Sequence, residues 1–250
     1  MLISFFEEFP TKDNLAKLKL VNWPTKLYLA AKSYHEFCKI TKKINHNHIK
    51  EFIYWPILEK KEGYWISPLT PRTALKRILE ELKKKKVSVM LDLELPTTKN
   101  PLLYLTQSLN FFRNKKLTSD FITNYSGDIY LAEYYPEGKR QEKIMQSFGL
   151  HYPHKKAKII KMVYHSMHNF NQDFIKRELT RGVEEYADNY LVTYGTIATG
   201  INGNEPLLEA KQLENDLKIA QKAGVKEVVI FRLGGLNNQY AQLLKKYSDG

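Results

Sequence analysis

Short runs rich in β-branched and aromatic residues recur along the chain, and a stretch with helical spacing follows each of them. The expected strands are Leu2–Phe6, Lys26–Ala31, Glu51–Pro56, Val87–Glu94, Asp128–Tyr134, Lys158–His165, Tyr190–Thr196 and Glu227–Leu233. Between them, Thr70-Pro71 opens a segment in which Ala74, Leu75, Ile78, Leu79 and Leu82 fall on one helical face, and Lys83 to Lys86 suit the carboxyl end of its dipole. Glu205-Pro206 opens another, with the stripe Leu213, Leu217 and Ala220 and with Gly224 as its cap. Segments Asn14–Leu20, Tyr34–Ile44, Pro101–Phe112, Gln141–Phe148, Gln172–Tyr186 and Gln239–Tyr247 supply the remaining helices.

Eight strand–helix units predict an α/β fold, a single (β/α)8 TIM barrel over residues 1–250. An open doubly wound sheet also alternates strands and helices, but it binds nucleotides through a glycine-rich first turn, and the first turn here is Glu7-Glu8-Phe9-Pro10. Closure into a barrel places any active site where strands end and loops begin.

Composition changes this picture little. A 43% hydrophobic and 26% charged chain folds, and no apolar run approaches the roughly 20 residues that cross a bilayer. The single cysteine, Cys38, and the absence of an apolar signal core lead to the expectation of a cytoplasmic, reducing setting. Lys+Arg outnumber Asp+Glu by 39 to 27, a net of +12, but the lysines are spread over many segments without a nucleic-acid motif. A solvated basic exterior is therefore expected, and nucleic acid is not the expected partner. The pattern specifies no oligomeric state and calls for no cofactor.

Candidate chemistry centres on Val87-Ser88-Val89-Met90-Leu91-Asp92-Leu93-Glu94. Strand alternation puts Met90, Asp92 and Glu94 on one face, with both carboxylates at the carboxyl end. Two acids so close do not ionise independently, and one should hold a raised pKa, as a general acid requires.

An Asp-x-Glu at the end of strand four resembles the chitinase-like glycoside hydrolases, and Met162-Val163-Tyr164 resembles the Met-x-Tyr of their sixth strand. The resemblance implies a carbohydrate substrate. It also implies that Glu94 protonates the leaving oxygen, Asp92 orients the substrate's acetamido group and Tyr164 hydrogen-bonds the same group, the substrate-assisted route. Three positions depart from the pattern: Met90 stands where the family has another Asp, Val87-Ser88 replaces Asp-Gly, and Val228 to Arg232 lacks the strand-eight tryptophan.

Other polar and aromatic residues gather at expected strand ends. Glu7 and Glu8 end strand one, Glu133 ends strand five and Arg232 lies in strand eight, together composing an acidic mouth with one compensating cation. Trp55, Trp65, Tyr134 and Tyr194 are candidates for contact with a sugar face, although the tryptophans could equally fill gaps between barrel and helices. Glu94, Glu133 and His165 could be imagined as ligands of a divalent metal in a sugar-phosphate isomerase or phosphodiesterase, yet alternation turns His165 away from Tyr164. His46 and His48 read as loop residues. Glu205, in a loop with Gly195, Gly200 and Gly203, already supplies the negative charge that a bound phosphate would bring. A non-catalytic barrel binding a glycan or a protein is the remaining possibility.

Overall fold

The computed structural model describes residues 1–97, 102–135 and 138–248. Its strands are β1 (Leu2–Glu7), β2 (Thr25–Ala31), β3 (Ile49–Pro56), β4 (Val89–Leu93), β5 (Ile129–Tyr134), β6 (Lys158–Met162), β7 (Tyr190–Gly195) and β8 (Glu227–Phe231). All pair in parallel and in chain order, and β8 returns to β1, so the sheet closes. The principal helices are α1 (Lys12–Leu15), α2 (Tyr34–Thr41), α3 (Arg72–Lys83), α4 (Leu102–Ser108), α5 (Phe111–Asn124), α6 (Gly138–Ser147), α7 (Gln172–Tyr186), α8 (Ala210–Ala223) and α9 (Asn238–Ser248). This is the (β/α)8 barrel that the alternation predicts.

The strands are buried on both faces, as parallel strands under a helical layer must be. Phe6, Tyr28, Trp55, Met90, Tyr130 and Val229 point inward and fill the barrel, whereas Leu27, Tyr54, Leu91, Leu131 and Ile230 pack outward with the helices. The α3 stripe Ala74, Leu75, Ile78, Leu79 and Leu82 is buried, and Gly224 caps α8 at φ +84°. At the amino ends of the strands a polar plug closes the barrel. Glu227 accepts from Ser4 Oγ (2.8 Å) and Tyr28 Oη (2.9 Å) and pairs with Lys26 (3.0 Å), which also donates to Tyr130 (3.0 Å).

Several boundaries differ from expectation. Strand six stops at Met162, because Tyr164 accepts from the N–H groups of both Met167 and His168 and turns the chain. Helix α8 begins at Ala210 instead of after Glu205, since Glu205 is held in the preceding loop by the N–H groups of Gly200 (3.0 Å) and Asn202 (3.2 Å). The expected helix Pro101–Phe112, whose first residue lies outside the described residues, is α4 followed by the separate α5. The buried face of α5 includes Asn114 and Thr118, with Asn114 Nδ2 donating to the carbonyls of Pro68 (3.0 Å) and Thr70 (2.8 Å). Among the described residues no helix is long and apolar enough to cross a membrane.

Candidate active site

The inward faces of the strands end in a cavity of about 410 Å³ at the carboxyl side of the barrel. Asp92 is the last inward residue of β4, opposite Ala132 of β5, and is 5% exposed. Glu94 follows directly after the strand and is half-buried, and the two carboxyl groups are close enough to share a hydrogen bond. Tyr134, at the end of β5, donates its hydroxyl to Glu94 Oε2 over 2.9 Å.

Burial dominates the electrostatics of this pair. It raises Asp92 well above the usual carboxylate range, and the neighbouring Glu94 charge adds to the effect. Burial also raises Glu94, against the opposing hydrogen bonds from Tyr134 and Asp92. The pair therefore retains a proton well above the pH at which isolated acids lose theirs.

Tyr164 stands in the turn after β6, lines the same cavity and keeps its phenol protonated, because burial raises its pKa well above the ordinary value. Its ring lies 6.0 Å from that of Phe231, the residue at the end of β8. Trp55, inward from the end of β3, stacks on Trp65 with ring centroids 6.0 Å apart and planes 6° apart. Trp65 reaches that position because its loop folds back over the barrel, with Leu58 N–H donating to Tyr64 O and Ile66 N–H to Asp92 O. Both tryptophans line the cavity and so belong to the mouth, not to the seam between barrel and helices.

Six of the ten residues singled out from the sequence thus converge: Asp92, Glu94, Tyr164, Trp55, Trp65 and Tyr134. The other four do not line the cavity. Glu7 is turned away by one step of strand alternation and is buried among the N–H groups of Phe9 (2.8 Å) and Gly234 (2.7 Å) and the Arg232 guanidinium (3.0 Å). Arg232 lies behind the mouth, bound to Glu7 and to Thr199 O (2.9 Å). Glu133 is paired with Leu93, not with Asp92, and so faces the helical layer. There it meets Lys161 (2.7 Å) and His151 (2.7 Å); burial alone would raise its pKa, but the Lys161 charge and the hydrogen bond to His151 more than offset that and hold it low. Tyr194 packs outward in the same layer.

His165 likewise faces outward, with Nδ1 2.9 Å from Asp216 of α8. The imagined metal set of Glu94, Glu133 and His165 is therefore split between two faces of the barrel. Among the described residues no group of three His, Cys, Asp or Glu side chains has a metal-binding arrangement.

Two further carboxylates line the cavity, Glu8 and Glu205. Glu8 is 2% exposed, and neither of its oxygens meets a hydrogen-bond partner at ordinary distance. Burial pushes its pKa up to about 8, with Tyr64 and Arg232 opposing and Glu205 and Glu7 adding to the rise. Alternation groups Glu8 with Ser4 and Phe6, and the register of β1 with β2 shows that face to be the inward one. Asp92 Oδ1 and Trp55 Nε1 are also buried without partners, so three side chains present unsatisfied polar atoms to one space.

Architecture and site together define a (β/α)8 barrel with an acidic, aromatic mouth. Its fold is similar to that of a chitinase from Chromobacterium violaceum ATCC 12472, with a TM-score of 0.55 and 10% identity over 99% of this chain and 98% of that one. The Bacillus megaterium QM B1551 spore cortex-lytic enzyme SleL gives a TM-score of 0.55 and 9% identity over 98% of this chain and 73% of that one. The 3-keto-D-glucoside 4-epimerase YcjR from E. coli gives 0.52 and 13% over 99% of both chains. These similarities establish the fold. No protein-family model matches the chain, and no curated protein sequence does.

Proposed function

We propose that the chain is a carbohydrate-active enzyme that cleaves a glycosidic bond by acid catalysis, with Glu94 as proton donor. The observation that carries this reading is the buried Asp92–Glu94 pair, which keeps a proton available in a cavity walled by the Trp55–Trp65 stack. A proton given by Glu94 to the leaving oxygen lets the bond from the anomeric carbon to that oxygen break. Asp92 and the Tyr164 hydroxyl hold the substrate's own acetamido group, whose carbonyl oxygen attacks the anomeric carbon. Water then opens that cyclic intermediate, and its proton returns to Glu94. The likeness of the site motifs to chitinase-like hydrolases supports this assignment of roles.

A specific observation favours a second reading, a glycan-binding barrel without turnover. Met90 occupies the inward position below Asp92 where those enzymes carry an acid, so the pair lacks a third carboxylate beneath it. Incubation with a panel of N-acetylated oligosaccharides separates the two. The enzyme reading expects new reducing ends whose anomeric configuration, followed by NMR, is retained. Saturable binding with no new ends from any member would leave the binding reading alone.

A further inference from the structure

Among the described residues four carboxylates line the cavity, from Glu8, Asp92, Glu94 and Glu205, and no lysine or arginine does. This holds in a chain of net charge +12. The nearest guanidinium, Arg232, is occupied by Glu7 and by Thr199 O. Glu205 is also in use, since its two oxygens accept the N–H groups of Gly200 and Asn202. Glu8 is different: it is buried, neither oxygen meets a donor in good hydrogen-bonding geometry although the Tyr64 hydroxyl is near, and it is no part of the proton-transfer pair. Gly200 packs close beside it, with no room for a side chain. A Cβ there would stand 3.0 Å from Glu8 Oε2 and 3.1 Å from both Glu205 Oε1 and Phe231 Cζ, so the two carboxylates approach the same backbone position.

A buried carboxyl with only one phenol near it keeps lone pairs unsatisfied, which is costly unless a ligand completes them. The faces around it are aromatic, with Trp55, Trp65, Phe6 and Phe231 all on the cavity wall. Carboxylates set among aromatic faces are an environment that receives an ammonium group.

We propose that Glu8 is a specificity-determining residue that binds a protonated amine on the substrate, so that the preferred ligand is an amino-sugar oligosaccharide with at least one unacetylated amine. The inference rests on the carbohydrate reading above and adds a charge requirement to it. Glu8 faces Tyr64, Arg232, Glu205, Glu7 and Asp92, and of these only Arg232 is a cation. Arg232 is already bonded to Glu7, so an arriving ammonium supplies a countercharge on the cavity side of Glu8. Because burial holds the Glu8 proton to about pH 8, ammonium binding in neutral solution ionises the carboxyl and releases that proton.

The test uses two tetrasaccharides, one of 2-amino-2-deoxyglucose and one of its N-acetylated form, titrated calorimetrically into the full chain and into Glu8→Gln at about pH 6.5 in buffers of different ionisation enthalpy. The free-amine sugar should bind the unaltered chain at least about tenfold more tightly, with release of close to one proton. Both the preference and the proton release should vanish in Glu8→Gln. Should that variant fail to fold, Glu8→Asp keeps the charge at shorter reach and should narrow the preference while retaining proton release. Equal binding of both sugars, or a preference that survives in Glu8→Gln, would overturn the inference and leave the role of Glu94 untouched. Binding of neither sugar would remove both readings.

Discussion

The Tyr134 hydroxyl donates to Glu94 Oε2 over 2.9 Å, from the end of β5 to the residue just past β4. This bond favours the charged form of Glu94 and so restrains the rise that burial causes. Tyr134→Phe removes the restraint without changing the cavity wall. The alkaline limb of the kcat profile should then move upward, by about one pH unit or less. A downward shift would mean that Glu94 is not the group whose proton is lost.

The aromatic stack should act mainly on binding. Trp55→Ala removes one face of the Trp55–Trp65 pair from the cavity, and stacking on a flat ligand is worth on the order of 1–3 kcal/mol. Measured by titration calorimetry, Kd should rise about 5- to 150-fold. The same variant measured in steady state should lose less in kcat than in kcat/KM.

Glu8 gives a stability signature whose sign is fixed. Its folded pKa of about 8 lies above the ordinary 4.5, so its proton stabilises the fold fully below about pH 4.5, and that contribution is lost as pH rises through 8. Glu8→Gln cannot ionise. At about 1.4 kcal/mol per unit, the variant should gain up to about 5 kcal/mol over the unaltered chain between pH 4 and pH 9, read by urea denaturation. A constant difference across that range would show that Glu8 titrates normally.

Glu133 should matter for stability and not for chemistry. It is fully buried against Lys161 at 2.7 Å, and Lys161→Ala leaves the carboxylate with His151 and the Tyr152 N–H but without its lysine countercharge. Breaking a buried pair in this way costs about 3–5 kcal/mol. The melting temperature should fall accordingly, while kcat per folded molecule stays unchanged. A selective loss of kcat with normal melting would return Glu133 to the active site.

The barrel and part of the mouth were legible in the sequence for the same reason. Eight short β-branched runs alternating with apolar stripes such as Ala74 to Leu82 leave few architectures open, and the Asp92-x-Glu94 alternation needs only a period of two to be read. The limits were also physical. Glu7 and Glu8 differ by one step of the pleat, and only the register with β2, in which Glu7 pairs with Leu29, settles which of them turns away. Glu133 has the same step relative to Asp92, and its partners Lys161 and His151 are 28 and 18 residues away along the chain, where no local pattern reveals them. Helix α5 escaped a search for hydrophobic periodicity because its buried face carries two polar residues, Thr118 and Asn114, the latter bonded to the carbonyls of a distant loop. Trp65 became a cavity residue through the loop bonds that lay it over Trp55, which burial propensity alone does not encode.

The most direct test of the account separates turnover from binding in Glu94→Gln, with kcat measured by reducing-end release and Kd by titration on the same oligosaccharide. Loss of general-acid assistance should lower kcat by about 10²- to 10⁴-fold with Kd changed by less than about threefold. A variant that keeps kcat within about a factor of three would contradict the assignment of Glu94 as the proton donor.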